Sequence, residues 1–216
     1  MVSRPKQVEP RPAPRLYLVT PRLSDTAGFA GDLASALAGT DVAAVLLRLD
    51  ETDERTLINR IKILTPVVQD QGAALLLEGH ADLVARSGAD GAHLSGSEAF
   101  TTAIELLKPE RIAGAGTLPS RHDAMHAAET GADYVMFGEP VESDRDFAAV
   151  TDRVAWWTEV FELPCVGYAA TFDEIAPLAA AGADFIAFDT LWSDPRGIAA
   201  AAGDASARAR LPETAA

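Results

Sequence analysis

The chain has 216 residues, 48% of them hydrophobic, and a formal net charge of −14 at pH 7. That size and apolar content suit one domain with a full core. The charge argues against nucleic acid and anionic membranes as partners. No run of about 18 apolar residues is present, so no membrane-spanning helix is expected. Residues 1–15 carry charge and proline without an apolar stretch, so no secretory signal is expected either. The single cysteine, Cys165, cannot close an internal disulfide and fits a reducing, cytoplasmic setting.

Residues 1–14 are rich in proline and basic side chains and read as a mobile arm. The first strand is expected over residues 15–20 (RLYLVT), followed by a loop at 21–24 and a helix from Asp25, an N-cap residue, to Leu37. A second strand covers 42–49, and a helix covers 53–71 with Leu57, Ile61, Leu64 and Val68 at helical spacing. Further strands are expected at 73–78, 91–94, 111–115, 134–138, 165–168 and 185–189. Helices fall between them at 81–87, 97–107, 120–130, 146–161 and 172–181, and an eighth begins near Pro195.

A Gly-Ala-Asp triplet occurs at residues 88–90, 131–133 and 182–184, each time after an alanine-rich helical segment and before a short apolar run. A helix that stops at glycine and hands over to a buried strand is an αβ joint. Eight apolar strands alternating with helices predict a single α/β domain of the (β/α)8 barrel type over residues 15–202, with a frayed tail at 203–216. The rival, a doubly wound open sheet, would carry a glycine-rich loop after its first strand, where this chain has Pro-Arg-Leu-Ser.

In a barrel, function sits at the C-terminal ends of the strands. Those ends carry Thr20 and Arg22, Arg48 and Asp50, Glu78 and His80, His93 and Ser95 with Glu98 behind, Thr117, Glu139 with Glu142, Tyr168, and Asp189. Carboxylates dominate. Arg48 is expected to point into the barrel with Leu46 and Asp50 and to reach Glu78 or Glu139, either as an internal ion pair or as a ligand contact. His93, within a short strand, reads first as a hydrogen-bonded interior histidine and second as a functional group. His122 and His126 stand four apart with Asp123 between, but on the outer helix ring and without a third ligand. Of Trp156 and Trp157, one is expected in the core and the other at the surface as a candidate contact in a homo-oligomer.

The segments LYLVTP, VAAVLLRLD, DLVARSGADGAHLSG, RIAGAG, ETGADYVMFGEP and LPCVGYAATFDEIAPLAAAGADFIAF, spanning residues 16–192, resemble the thiamine phosphate synthase and TenI-like family. The resemblance implies a (β/α)8 barrel. It also implies an enzyme that joins a pyrimidine pyrophosphate to a thiazole phosphate with Mg2+ and releases pyrophosphate. Matched position by position, the family's Gln-x-Arg-x-Lys on strand 2 reads Leu46, Arg48 and Asp50, so the arginine alone remains. The Asn-Asp after strand 3 reads Glu78 and Gly79, and a later magnesium aspartate reads Glu98. The serine after strand 5 is Gly116, and Leu118 stands where TenI-type tautomerases carry a histidine. Gly-Pro after strand 6 reads Glu139-Pro140, with no lysine following, and the phosphate-cradling Gly-Gly reads Ala169-Ala170.

The expectation is therefore a family barrel whose acidic mouth takes a small molecule or metal, with synthase activity altered or lost. Arg48, Glu78 and His93 are its candidate catalytic groups. Thr20, Asp50, Thr117, Glu139, Tyr168 and Asp189 are its binding groups, and Glu98 its metal ligand. The alternatives are an active synthase and a non-catalytic binding barrel whose mouth is plugged by Tyr168, Phe137 and Trp192.

Overall fold

The computed structural model describes residues 12–140 and 146–192, together with 197, 200, 201 and 203. Eight parallel strands close in sequential order: β1 (Arg15–Leu23), β2 (Val42–Leu49), β3 (Ala74–Glu78), β4 (Gly91–Ser95), β5 (Ile112–Gly116), β6 (Tyr134–Phe137), β7 (Cys165–Ala169) and β8 (Phe185–Phe188). Between them run α1 (Thr26–Leu37), α2 (Glu54–Gln69), the short α3 (Val84–Ser87) after a 3-10 turn at Ala81–Leu83, α4 (Ser97–Leu107), α5 (Arg121–Thr130), α6 (Phe147–Val160) and α7 (Phe172–Ala180). Of the expected eighth helix only residues 197, 200, 201 and 203 are described, and all four are helical; the N-terminal arm up to residue 11 and the tail after 203 lie outside the described residues. No described helix is long and apolar enough to cross a membrane.

Strand alternation sorts the apolar residues into two cores. Tyr17, Val19, Ala44, Leu46, Leu76, Tyr134, Met136, Val166, Tyr168 and Ala187 fill the barrel interior. Their neighbours Leu16, Leu18, Val45, Leu47, Leu75, Leu77, Val135, Phe137, Ile186 and Phe188 face the helices. Phe137 packs edge-on to Trp157, with ring centroids 5.8 Å apart, so it belongs to the outer layer and does not plug the mouth as the sequence suggested. Trp157 is fully buried, while Trp156 is half-buried under the Arg121 guanidinium.

The three Gly-Ala-Asp triplets share one joint. Asp90, Asp133 and Asp184 each accept an N–H from the first two residues of the preceding strand, from Leu75 (2.7 Å), Ala113 (2.8 Å) and Cys165 (2.9 Å). Their own N–H groups donate back to the carbonyls of the same residues. A charged acceptor thus covers a strand-end N–H that the ladder leaves open. The helix starts are equally local. Asp25, Asp53, Ser120 and Asp146 cap α1, α2, α5 and α6, and Ser120 forms a full capping box with Asp123.

Strand β1 runs through the segment expected to be a loop, to Leu23. Its pairing with β2 slips between Val19 and Arg22, where Pro21 has no N–H for the ladder. The Thr20 hydroxyl fills in, accepting the Arg48 N–H at 3.0 Å. Arg22 is thereby carried to the barrel mouth.

Candidate functional site at the barrel mouth

The inner faces of the strands end in charge. Beyond Leu46 on β2 comes Arg48, beyond Leu76 on β3 comes Glu78, and beyond Ala187 on β8 comes Asp189. Arg48 Nε stands 3.1 Å from Glu78 Oε1, an ion pair too bent for a hydrogen bond, since this buried Nε has no hydrogen-bond partner. Arg22 Nη2 donates to the other Glu78 oxygen at 2.5 Å and its Nη1 to the Leu49 carbonyl at 2.9 Å. Arg48 Nη1 lies 3.9 Å from Asp189 Oδ2, and Tyr168 donates to Asp189 Oδ1 at 2.9 Å. One side of the mouth is therefore a closed exchange of charge among two arginines and two carboxylates.

A buried polar chain runs through the interior from the strand-start end up to the mouth. Tyr17 and Tyr134 hydroxyls are 2.9 Å apart, and Tyr134 lies 3.0 Å from His93 Nδ1. His93 Nε2 is 3.2 Å from Glu139 Oε1, which also accepts the Thr117 N–H at 2.9 Å. His93 is 1% and Glu139 5% exposed, so both depend chiefly on protein partners. Desolvation pushes the Tyr17 phenol well above its ordinary range, with Tyr134 next to it adding to the effect. Desolvation likewise pushes Tyr134 far up, against the hydrogen bond from Tyr17. Both therefore stay protonated as donors.

Glycines on β5 make the room. A Cβ on Gly114 would stand 2.0 Å from Tyr134 Cζ, and one on Gly116 would stand 1.9 Å from Glu139 Oε1 and 2.5 Å from His93 Nε2. The sequence signal was present in Ile-Ala-Gly-Ala-Gly, where both glycines fall on the inner face, but only the fold says which side chains fill the gaps.

The other expected residues are placed as follows. Thr20 is fully buried and serves the β1–β2 joint. Asp50 is half-buried, its N–H donating to the Leu23 carbonyl and its carbonyl accepting from Arg60. Tyr168 is in the mouth, whereas Trp192 packs on Phe29 and donates to the Val19 carbonyl at 2.7 Å. Glu142 lies outside the described residues.

Glu98 is exposed in the first turn of α4. Hard divalent ions want about six oxygen ligands. Here Glu78 is held by two arginines, Gly79 offers no side chain, and no three His, Cys, Asp or Glu side chains converge on a metal site among the described residues. These residues do not fit the magnesium ion that the family resemblance implies.

Comparison with known proteins gives the family and the fold. The family model described as thiamine monophosphate synthase matches residues 16–189. The thiamine-phosphate synthase of Rhodospirillum centenum is 40% identical over 196 residues, covering 88% of this chain and 95% of that one. That of Hyphomonas neptunium is 37% identical over 204 residues, covering 89% and 92%. Among solved structures, thiamine phosphate pyrophosphorylase from Pyrococcus furiosus superposes with a TM-score of 0.72 at 22% identity, covering 90% of this chain and 94% of that one. A 3-hexulose-6-phosphate synthase reaches 0.65 at 16%, so the barrel itself is shared by enzymes of different chemistry.

Proposed function

The chain belongs to the thiamine monophosphate synthase family, and from that premise we propose that its mouth has left pyrophosphate handling behind. In this reading the family's transferase activity is altered or lost, and the mouth takes a small molecule with cationic or hydrogen-bond-donating character in the cytosol. The observation that carries it is the engagement of Arg48. This arginine is the one strand-2 cation retained from the family pattern, and it is paired with Glu78 and lies close to Asp189. A departing pyrophosphate needs positive charge and N–H donors aimed at its growing negative charge. Here Arg22 and Arg48 face two carboxylates, and Glu139 adds a third acceptor on the far wall.

A second reading, an active thiamine phosphate synthase, is favoured by the 40% identity to the Rhodospirillum centenum protein across 95% of its length. Expression in a bacterium deleted for its own synthase separates the two. The altered mouth predicts no growth without thiamine. Growth at the normal rate would establish the second reading.

A further inference from the structure

Glu139 is a carboxylate in a place that makes carboxylates expensive. Its side chain is 6% exposed, and a buried charge persists only with partners. Oε1 has two, the Thr117 N–H and His93 Nε2, while Oε2 has none among the described residues. The backbone bends to keep this arrangement. Thr117 is the one non-glycine residue with positive φ, +50°, among the described residues. Such conformations survive where the surroundings over-determine them, commonly at functional sites. Gly116 leaves empty the volume that Glu139 and His93 occupy.

The hydrogens can be assigned from the partners. Tyr17 donates to Tyr134, Tyr134 donates to His93 Nδ1, and His93 then directs its Nε2–H at Glu139. Every donor in the chain points toward Oε1. Among the described residues Oε2 remains an acceptor without a partner, beneath a mouth that also holds Glu78 and Asp189. A carboxylate with one oxygen unpartnered among the described residues, in a low-dielectric wall, is matched by a charged N–H donor and opposed by phosphate.

We propose that Glu139 anchors a binding site for a small organic cation bearing N–H, an ammonium or amidinium, with His93, Tyr134 and Tyr17 as positioning residues that hold its carboxylate. This rests on the reading of an altered mouth and names the ligand class of that same site.

The test titrates the full chain with benzylamine, benzamidine, tetramethylammonium and inorganic phosphate, followed by calorimetry and NMR. Benzylamine or benzamidine is expected to bind, and tetramethylammonium, which has no N–H, to bind at least about tenfold more weakly. Glu139→Gln should weaken the N–H cations by about tenfold or more, and Tyr134→Phe by about threefold, with phosphate binding unmoved. The proposal is overturned if neither N–H cation binds up to about 10 mM, if Glu139→Gln binds them as the wild type does, or if tetramethylammonium binds equally well. Should Glu139→Gln fail to fold, the wild-type chain decides: a shift of the His93 Nε2 resonance on saturation with benzylamine supports the site, and a static resonance overturns it. A normal synthase rate would remove the altered-mouth reading and leave this titration standing. A failed titration would remove this site alone.

Discussion

Arg48 Nε faces Glu78 Oε1 at 3.1 Å, and Arg22 holds the other oxygen of the same carboxylate. One glutamate thus engages both arginines at the β1 and β2 ends. Replacing it by Glu78→Gln removes that charge while keeping its shape. Pyrophosphate binding, followed by calorimetry, should then tighten by about tenfold as the arginines are released. Unchanged affinity would mean that the arginines are not what the mouth lacks.

The strand-joint aspartates carry a stability prediction. Asp184→Ala, Asp90→Ala and Asp133→Ala each leave an N–H near a strand start without its charged acceptor. Each should cost about 1–3 kcal/mol in chemical denaturation, with the midpoint falling and the slope unchanged. The Asn variants keep an acceptor oxygen and should lose less. Equal losses for Ala and Asn would show that the carboxylate oxygen is not the stabilising group.

Much of this was readable in the sequence, and its limits are physical. The repeated Gly-Ala-Asp triplets and the short apolar strands follow from local rules, so the barrel, the cap at Asp25, and the inward register of Arg48 were legible. The extension of β1 past Pro21 was not, because a proline reads locally as a stop and the Thr20 hydroxyl that repairs the ladder acts on a residue 28 positions away. The bond between His93 and Glu139, 46 residues apart, has no sequence signature beyond two polar residues at strand ends. Phe137 was misplaced because its neighbours in β6 are apolar on both faces, and alternation cannot be seen where both sides are buried.

The β5 glycines give a steric test. Gly116→Ala places a methyl against Glu139 and His93, and should destabilise by about 2–4 kcal/mol unless the neighbours shift. In a Glu139→Ala background the closest atom is gone while His93 remains, so the cost of the same glycine change should shrink without vanishing. Denaturation of the double-mutant cycle measures this, and strict additivity would rule out the contact.

Alkaline pH probes the buried phenols. Tyr17 and Tyr134, two of the chain's three tyrosines, have folded-state values raised above the ordinary one. The unfolded chain releases those protons above about pH 10 and the folded barrel keeps them. The stability they contribute is thus complete below that pH and lost as pH rises beyond it, by about 1.4 kcal/mol per pH unit for each phenol. Absorbance at a phenolate wavelength should show these two tyrosines ionising only as the barrel unfolds. Their reversible titration near pH 10 in the folded chain would show that the hydroxyl pair is open to water.

The account's central claim is that the mouth no longer stabilises a departing pyrophosphate, and turnover with both purified substrates tests it most directly. Pyrophosphate release by this chain, with magnesium, is measured beside the thiamine phosphate pyrophosphorylase of Pyrococcus furiosus. Each missing electrostatic contact typically costs about 10²–10³ in rate. The account predicts release at or near the uncatalysed background, with Arg48→Ala making no further difference. Turnover comparable to that enzyme, abolished by Arg48→Ala, would contradict it.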